Sequence, residues 1–349
     1  MKKRIKLLLL ICLLMISMAG CGNYVIEDDN SNAPPVLQEN PFEEGDDGSL
    51  AALRHGESNP NRDENQNVLP YEYNGGEFSF EYYFLTKGKL DNVGFLLFLD
   101  GKPQAYKVNS TDAEYEYCHY FETEDGKEET VTFLFTPHTG EKGDTLNLTI
   151  VSITNPKFQP DMKETSSYGW YHKHLERMLE LHFNEDTISD DSIYPAVETI
   201  FTKVSVEEEK VTSGYLENEL GKDGWGKVSM ESLDYAIYST LLYEGELVYD
   251  NVNVTDKDTL TVRYTLCGMA GVDYKISFFL NHKPVAFEDG ISYDVTLHKG
   301  NVWVVEATID TSKLSELNTF YVVAVASGDN YDIGVNKRES ILIYKEKNE

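Results

Sequence analysis

The sequence predicts an all-β protein, two tandem antiparallel β-sandwich domains that follow an export signal and a disordered acidic tether. Three observations lead there. Apolar and polar residues alternate in short runs, the period of a half-buried strand. The runs are separated by Gly, Pro, Asn and Asp turns, with no room for crossover helices between them. The same strand–turn–strand pattern also returns 181–182 residues later in the 349-residue chain.

At the amino terminus, Met1-Lys-Lys-Arg-Ile-Lys6 is basic and Leu7 to Met18 is apolar and uncharged. That stretch is shorter than the roughly 20 residues a membrane-spanning helix needs, so residues 1–20 read as a cleavable signal peptide. The run ends Met18-Ala19-Gly20-Cys21, which resembles the lipobox of bacterial lipoproteins, with Met18 where Leu is usual. The resemblance implies lipidation of the Cys21 thiol and cleavage that leaves Cys21 first in the mature chain. Acyl chains on Cys21 would moor the protein to the extracytoplasmic face of the bacterial cell membrane, each buried CH₂ contributing about 0.8 kcal/mol.

Residues 21–72 read as a tether. From Gly22 to Glu72 there are 12 acidic residues and two basic ones, with Asn, Ser, Pro and Gly interspersed. Burial there cannot offset the entropy of ordering.

The first sandwich is expected over 73–185 and the second over 245–349. Phe78, Phe80, Tyr82 and Phe84 alternate as Leu260, Val262, Tyr264 and Leu266 do at offset 182. Phe98-Leu-Asp-Gly-Lys-Pro-Gln-Ala-Tyr106 aligns with Phe279-Leu-Asn-His-Lys-Pro-Val-Ala-Phe287 at offset 181. In both, the first two turn residues favour positive φ, and proline follows where no ladder N–H is needed. Further along, Val131, Phe133 and Phe135 match Trp303, Val305 and Ala307 at offset 172; Leu146, Leu148 and Ile150 match Phe320, Val322 and Ala324 at offset 174. Leu179 to Phe183 pairs more weakly with Ile341 to Tyr344. In strand number, strand length and tandem arrangement each copy resembles an immunoglobulin-like domain. The Cys…Trp…Cys spacing of antibody domains is absent.

Residues 186–244 read as a connecting segment. Thr199 to Val206 alternates like a strand, and Ser232 to Tyr243 fits a helix or a strand equally.

Chemistry is sparse. Cys118 and Cys267 stand one in each copy at non-corresponding positions, so they are expected as unpaired buried thiols. Nucleophile-elbow, His-Glu-x-x-His and phosphate-loop patterns do not occur. Three groupings are candidates nonetheless. On a strand, His172, His174 and His182 share a face with Glu176 and Glu180, a donor set suited to zinc or another transition metal. Asp256 and Asp258, with Asp250, Asn251 and Asn253, form an oxygen-rich junction that could take calcium. Trp170, Tyr168, Tyr171 and Trp225 sit among glycines, where exposed rings could stack on a sugar or a protein partner. For each, a solvated strand face, an acidic linker or sandwich core is the plainer reading.

Charge removes whole classes of partner. There are 30 Lys+Arg against 60 Asp+Glu, a formal charge of −30. Such a surface repels phosphate backbones, which excludes nucleic acid as a partner, and repels anionic lipid headgroups, which leaves the lipid at Cys21 as the membrane contact. The functional expectation is a non-enzymatic surface protein: a binding or adhesion module, or an accessory to an envelope assembly, recognising protein or glycan without a cofactor. The alternatives are a metal-dependent extracellular hydrolase using His172, His174 and His182, and a passive spacer.

Overall fold

The structure is a computed structural model that describes residues 51–158, 160, 168–188, 194–223, 227–328 and 333–346. The signal peptide, Cys21 and most of the tether lie outside the described residues.

The first sandwich uses β1 (Ala52–Glu57), β2 (Tyr71–Tyr73), β3 (Phe78–Lys87), β4 (Asn92–Leu99), β5 (Lys102–Gln104), β6 (Lys107–Val108), β7 (Cys118–Glu122), β8 (Glu128–Phe135), β9 (Thr145–Thr154) and β10 (His174–Phe183). The second uses β11 (Phe201–Lys210), β12 (Ile237–Tyr243), β13 (Glu246–Leu247), β14 (Asn251–Asn253), β15 (Thr259–Gly268), β16 (Asp273–Leu280), β17 (Lys283–Pro284), β18 (Tyr293–Thr296), β19 (Asn301–Asp310), β20 (Leu317–Ala326), β21 (Val335–Lys337) and β22 (Ile341–Tyr344). The protein is all-β, and each half is a sandwich of two sheets.

The halves share one topology except at one edge, where β6 follows β5 in the chain while β11, in the same place beside β19, precedes β12. Order β1-β3-β8-β6 faces β2-β10-β9-β4-β5 in the first; β12-β15-β19-β11 faces β14-β22-β20-β16-β17 in the second. Even the parallel edge pairs correspond, β2 on β10 and β14 on β22. The turns correspond too, with Asp100 and Gly101 at φ 46° and 81° and Asn281 and His282 at φ 51° and 65°. Ladder register refines the residue matches. Phe80 faces Phe133 and Val262 faces Ala307, so Phe133 corresponds to Ala307, offset 174. Leu97 faces Ile150 and Phe278 faces Val322, so Ile150 corresponds to Val322, offset 172. Both differ from the sequence matches by two residues. A period-two pattern looks the same after a slip of two, so alternation alone does not fix the register.

Two stretches are more ordered than their composition suggests. β1 falls inside 21–72, yet it pairs with β3 over its whole length and buries Glu57 against the guanidinium of Arg177 at 2.7 Å. β11 and β12 fall inside 186–244 and belong to the second sandwich, paired with β19 and β15. Ser232–Asp234 is a single 3₁₀ turn without a side-chain cap, and Ile237–Tyr243 is strand β12, so the run is chiefly a strand. Between β11 and β12, a strap carrying Tyr215, Leu216, Leu220, Val228 and Leu233 covers Cys267, Val302 and Val304 on the outer face of the second sandwich. Cys118 and Cys267 are free and buried.

Each sandwich has its own core. A third cluster joins them: Leu96, Phe98, Val151 and Ile153 of β4 and β9 pack on Phe279, Tyr321, Val323 and Val325 of β16 and β20. All eight residues of β4 are buried in consequence, because both faces of its sheet are covered. The assembly is four sheets deep rather than two beads on a string.

Candidate functional site

The joint between the sandwiches is two-fold in character, and its rims hold the titratable and aromatic groups that could meet a ligand. Phe98 meets its own repeat counterpart Phe279 at a ring-centroid distance of 6.0 Å, edge to face. The other contacts come in matched pairs. The Asp100 turn accepts from the Gly328 N–H at 3.1 Å, and the corresponding His282 turn bonds through Nε2 to the Pro156 carbonyl at 3.1 Å. Gly328 and Pro156 are related by the same offset of 172 that relates Val322 to Ile150. Gly101 suits its place by its positive φ, and a Cβ there would press tightly on the Lys275 stem at 3.2 Å. Its counterpart His282 tolerates positive φ because its ring is bonded at both nitrogens, the other being Nδ1 with the Tyr321 hydroxyl at 3.0 Å.

A helical turn, Tyr168–Tyr171, crosses one rim before β10 begins. Gly169 allows it to press on the second sandwich, where a Cβ would come within 3.0 Å of the Ser340 carbonyl. Tyr168 is buried and its hydroxyl bonds Thr319 at 2.5 Å. Its ring stands edge-on to His172 at 4.7 Å, and His172 stands edge-on to His282 at 5.9 Å. His172 is 2% exposed and neither ring nitrogen makes a well-formed hydrogen bond. Burial, then the neighbouring His282 and Lys337, hold its pKa down at about 2. Burial likewise lowers His282 and His174 to about 4, so all three rings are neutral at pH 7. The Lys337 ammonium donates to the Arg338 carbonyl at 3.1 Å and lies 4.6 Å from the Tyr321 ring. Burial pulls that lysine down to about 7.

Two grooves flank this line. One, of about 230 Å³, is lined by Tyr120, Phe158, Tyr168, Asn281 and His282 among others. Tyr120 is exposed there beside the Lys157 ammonium, while Phe158 stacks on Tyr171 at 3.8 Å. The other, of about 460 Å³, is lined by His174, Asp223, Tyr249, Lys337, Arg338 and Glu339 among others. Arg338 is already bound to Asp223 at 2.6 Å and to the Ser239 carbonyl at 3.1 Å. The ring of Tyr249, about half exposed, and the neutral His174 remain to meet a ligand. Volumes of this size suit small ligands or the side chains of a partner.

The predicted metal set does not come together. The strand starts at His174, so His172 precedes it and turns into the joint, whereas His174 lines the larger groove. His182 lies eight residues further along β10, roughly 26 Å away at 3.3 Å per residue, and bonds Thr145 at 3.0 Å. Asp256 and Asp258 are exposed in the turn before β15, and Asn253 spends its carbonyl oxygen on Thr255. Among the described residues no group of three or more His, Cys, Asp or Glu is placed to hold a metal ion. Of the aromatic set, Tyr168 is core and Tyr171 is exposed against Phe158; Trp225 and the Trp170 side chain lie outside the described residues. His282, Lys337, Tyr120 and Tyr249 escaped sequence reasoning. The one signal for them was His282 in a turn position where the first copy has glycine.

No protein-family profile matches the sequence, and no curated protein does. Among solved structures it is similar to the fibronectin(III)-like modules of CbhA from Clostridium thermocellum, at 9% identity over 85% of this chain and 94% of that one, TM-score 0.17. A protein of unknown function from Porphyromonas gingivalis W83 gives 7%, 84%, 99% and 0.22, and the CupB6 tip adhesin from Pseudomonas aeruginosa 9%, 85%, 98% and 0.20. Scores of this size carry no functional argument. No helix among the described residues is long and apolar enough to cross a membrane.

Proposed function

We propose that this chain is a non-catalytic binding protein of the bacterial envelope, held outside the cell by lipid on Cys21 and meeting an envelope protein or glycan at the grooves beside the joint. One observation carries the reading: an apolar joint locks two sandwiches into a single body, which holds groove residues from both halves in fixed relation. Preorganised surfaces lose little entropy on binding. The scattered histidines argue against the hydrolase alternative, and the strongly acidic surface argues against nucleic acid and for attachment through lipid.

Two measurements test it. The full chain carrying Cys21→Ala should leave the membrane fraction for the medium; persistence in the membrane would refute the anchor. A photo-crosslinking residue at Tyr249 in the full-length, membrane-bound protein should capture one discrete envelope protein or glycan. Absence of any adduct at Tyr249 and at Tyr120 would leave the spacer alternative and overturn the binding role.

A further inference from the structure

Among the described residues, β11 presents a long free strand edge. The strand ends its sheet, with β19 on one side and no strand on the other among the described residues. Its outward groups can be identified. Gly300 O accepts from Val211 N and Asp310 N donates to Ile200 O, so the even-numbered residues of β19 turn toward β11. Those residues face Lys203, Ser205, Glu207 and Glu209. Lys203, Ser205 and Glu207 thus spend their backbone groups on β19, and Val204, Val206 and Glu208 point theirs away from the sheet.

Long open edges usually carry charges and bulges that deter pairing. β11 has both, with a register shift between Phe201 and Lys203 and a Glu207-Glu208-Glu209 run. The order of its charges, however, complements one partner: itself, run antiparallel. With Ser205 on the two-fold axis, Val204 of each strand faces Val206 of the other, and Lys203 faces Glu207 twice. The two hydrogen-bonded rungs are the Val204–Val206 pairs, whose backbone groups point outward, and the bulge stays outside. Neither Lys203 nor Glu207 has an ion-pair partner among the described residues, so both are available.

We propose that β11 is a self-association edge, at which a second copy of this chain adds antiparallel about Ser205 and continues the sheet from one molecule into the next. Four backbone hydrogen bonds, two Lys203–Glu207 pairs and the Val204–Val206 contacts form the junction. An exposed Lys–Glu pair contributes only about 0.2–1 kcal/mol, and the acidic surfaces repel, so the contact is weak in dilute solution and gains from confinement on a membrane. It neither requires nor involves the groove residues.

Ser205 would face its own copy in a non-hydrogen-bonded pair, about 4.5 Å between Cα atoms, which is within disulfide range. The test is oxidative crosslinking of the full-length, membrane-bound protein carrying Ser205→Cys, with Ser79→Cys, exposed on the opposite sandwich, as collision control and the wild-type chain as background. Ser205→Cys should give at least about tenfold more dimer than Ser79→Cys, the ratio of a contact worth ~1.4 kcal/mol. Adding Lys203→Glu should return the yield to the control, and Lys203→Glu with Glu207→Lys should restore it. Equal yields at 205 and 79, or a yield indifferent to Lys203→Glu, would overturn the proposal. A charge swap that fails to rescue while the melting temperature is unchanged would overturn the register.

Discussion

If the joint is held by Phe98 meeting Phe279, the two rings should be energetically coupled across the repeat. Both are fully buried, at an interplanar angle of 71° and a centroid distance of 6.0 Å, inside the 4.5–7 Å range where edge-to-face pairs attract. Phe98→Ala removes a ring from a cluster that neither sandwich core can close around, so the cost should be about 3–5 kcal/mol. Phe279 also stacks on Tyr321 at 5.2 Å with the rings 4° from parallel, so Phe279→Ala should cost at least as much. The double variant should cost less than the two singles together by about 0.5–1.5 kcal/mol, the share that belongs to the pair. Urea denaturation of the four proteins, followed by tryptophan fluorescence and far-ultraviolet circular dichroism, measures each quantity. Strict additivity within about 0.3 kcal/mol would refute the joint as described.

Acid should destabilise the protein well before its carboxylates protonate. His55, His138, His174 and His282 are held near pKa 4 by burial, against 6.5 when free. The unfolded chain therefore binds more protons between pH 6.5 and 4, and stability should fall through that window by up to about 1.4 kcal/mol per pH unit per buried histidine; a denaturation midpoint flat from pH 6.5 to 4.5 contradicts this. Arg177→Ala should cost ~2 kcal/mol, less than a fully buried pair because the guanidinium is 41% exposed, by leaving the Glu57 carboxylate (3% exposed) without its partner. The register matches Glu57 to Leu241, so Glu57→Leu with Arg177→Met should be near neutral in the same urea titration, and a loss as large as that of Arg177→Ala would count against the match.

The strands, their turns and the duplication were legible because alternation, turn chemistry and repetition agree at Phe78–Phe84, Asp100-Gly101 and Asn281-His282. The joint was not, though its signal was present. Phe95 to Leu99 and Phe320 to Ala326 are unbroken apolar runs, and runs of that kind belong to sheets buried on both faces. A period-two reading sends Phe95, Leu97 and Leu99 to one core and leaves Leu96 and Phe98 without a destination. β1 was missed because its ladder to β3 and its ion pair hold it, and neither shows as periodicity in Ala52 to Glu57. The histidine grouping fails twice: the change from helical turn to strand between Tyr171 and His174 turns His172 away, and eight residues of extended strand part His174 from His182.

Among the described residues, the strap that carries Tyr215, Leu220 and Leu233 has no counterpart on the first sandwich. Cys267, Val302 and Val304 correspond by register to Leu85, Glu128 and Thr130, so one outermost sheet is greasy and roofed while the other meets water bare. Matched inside, the molecule is lopsided outside, and lipid, neighbour or ligand arriving from either end would find a different face.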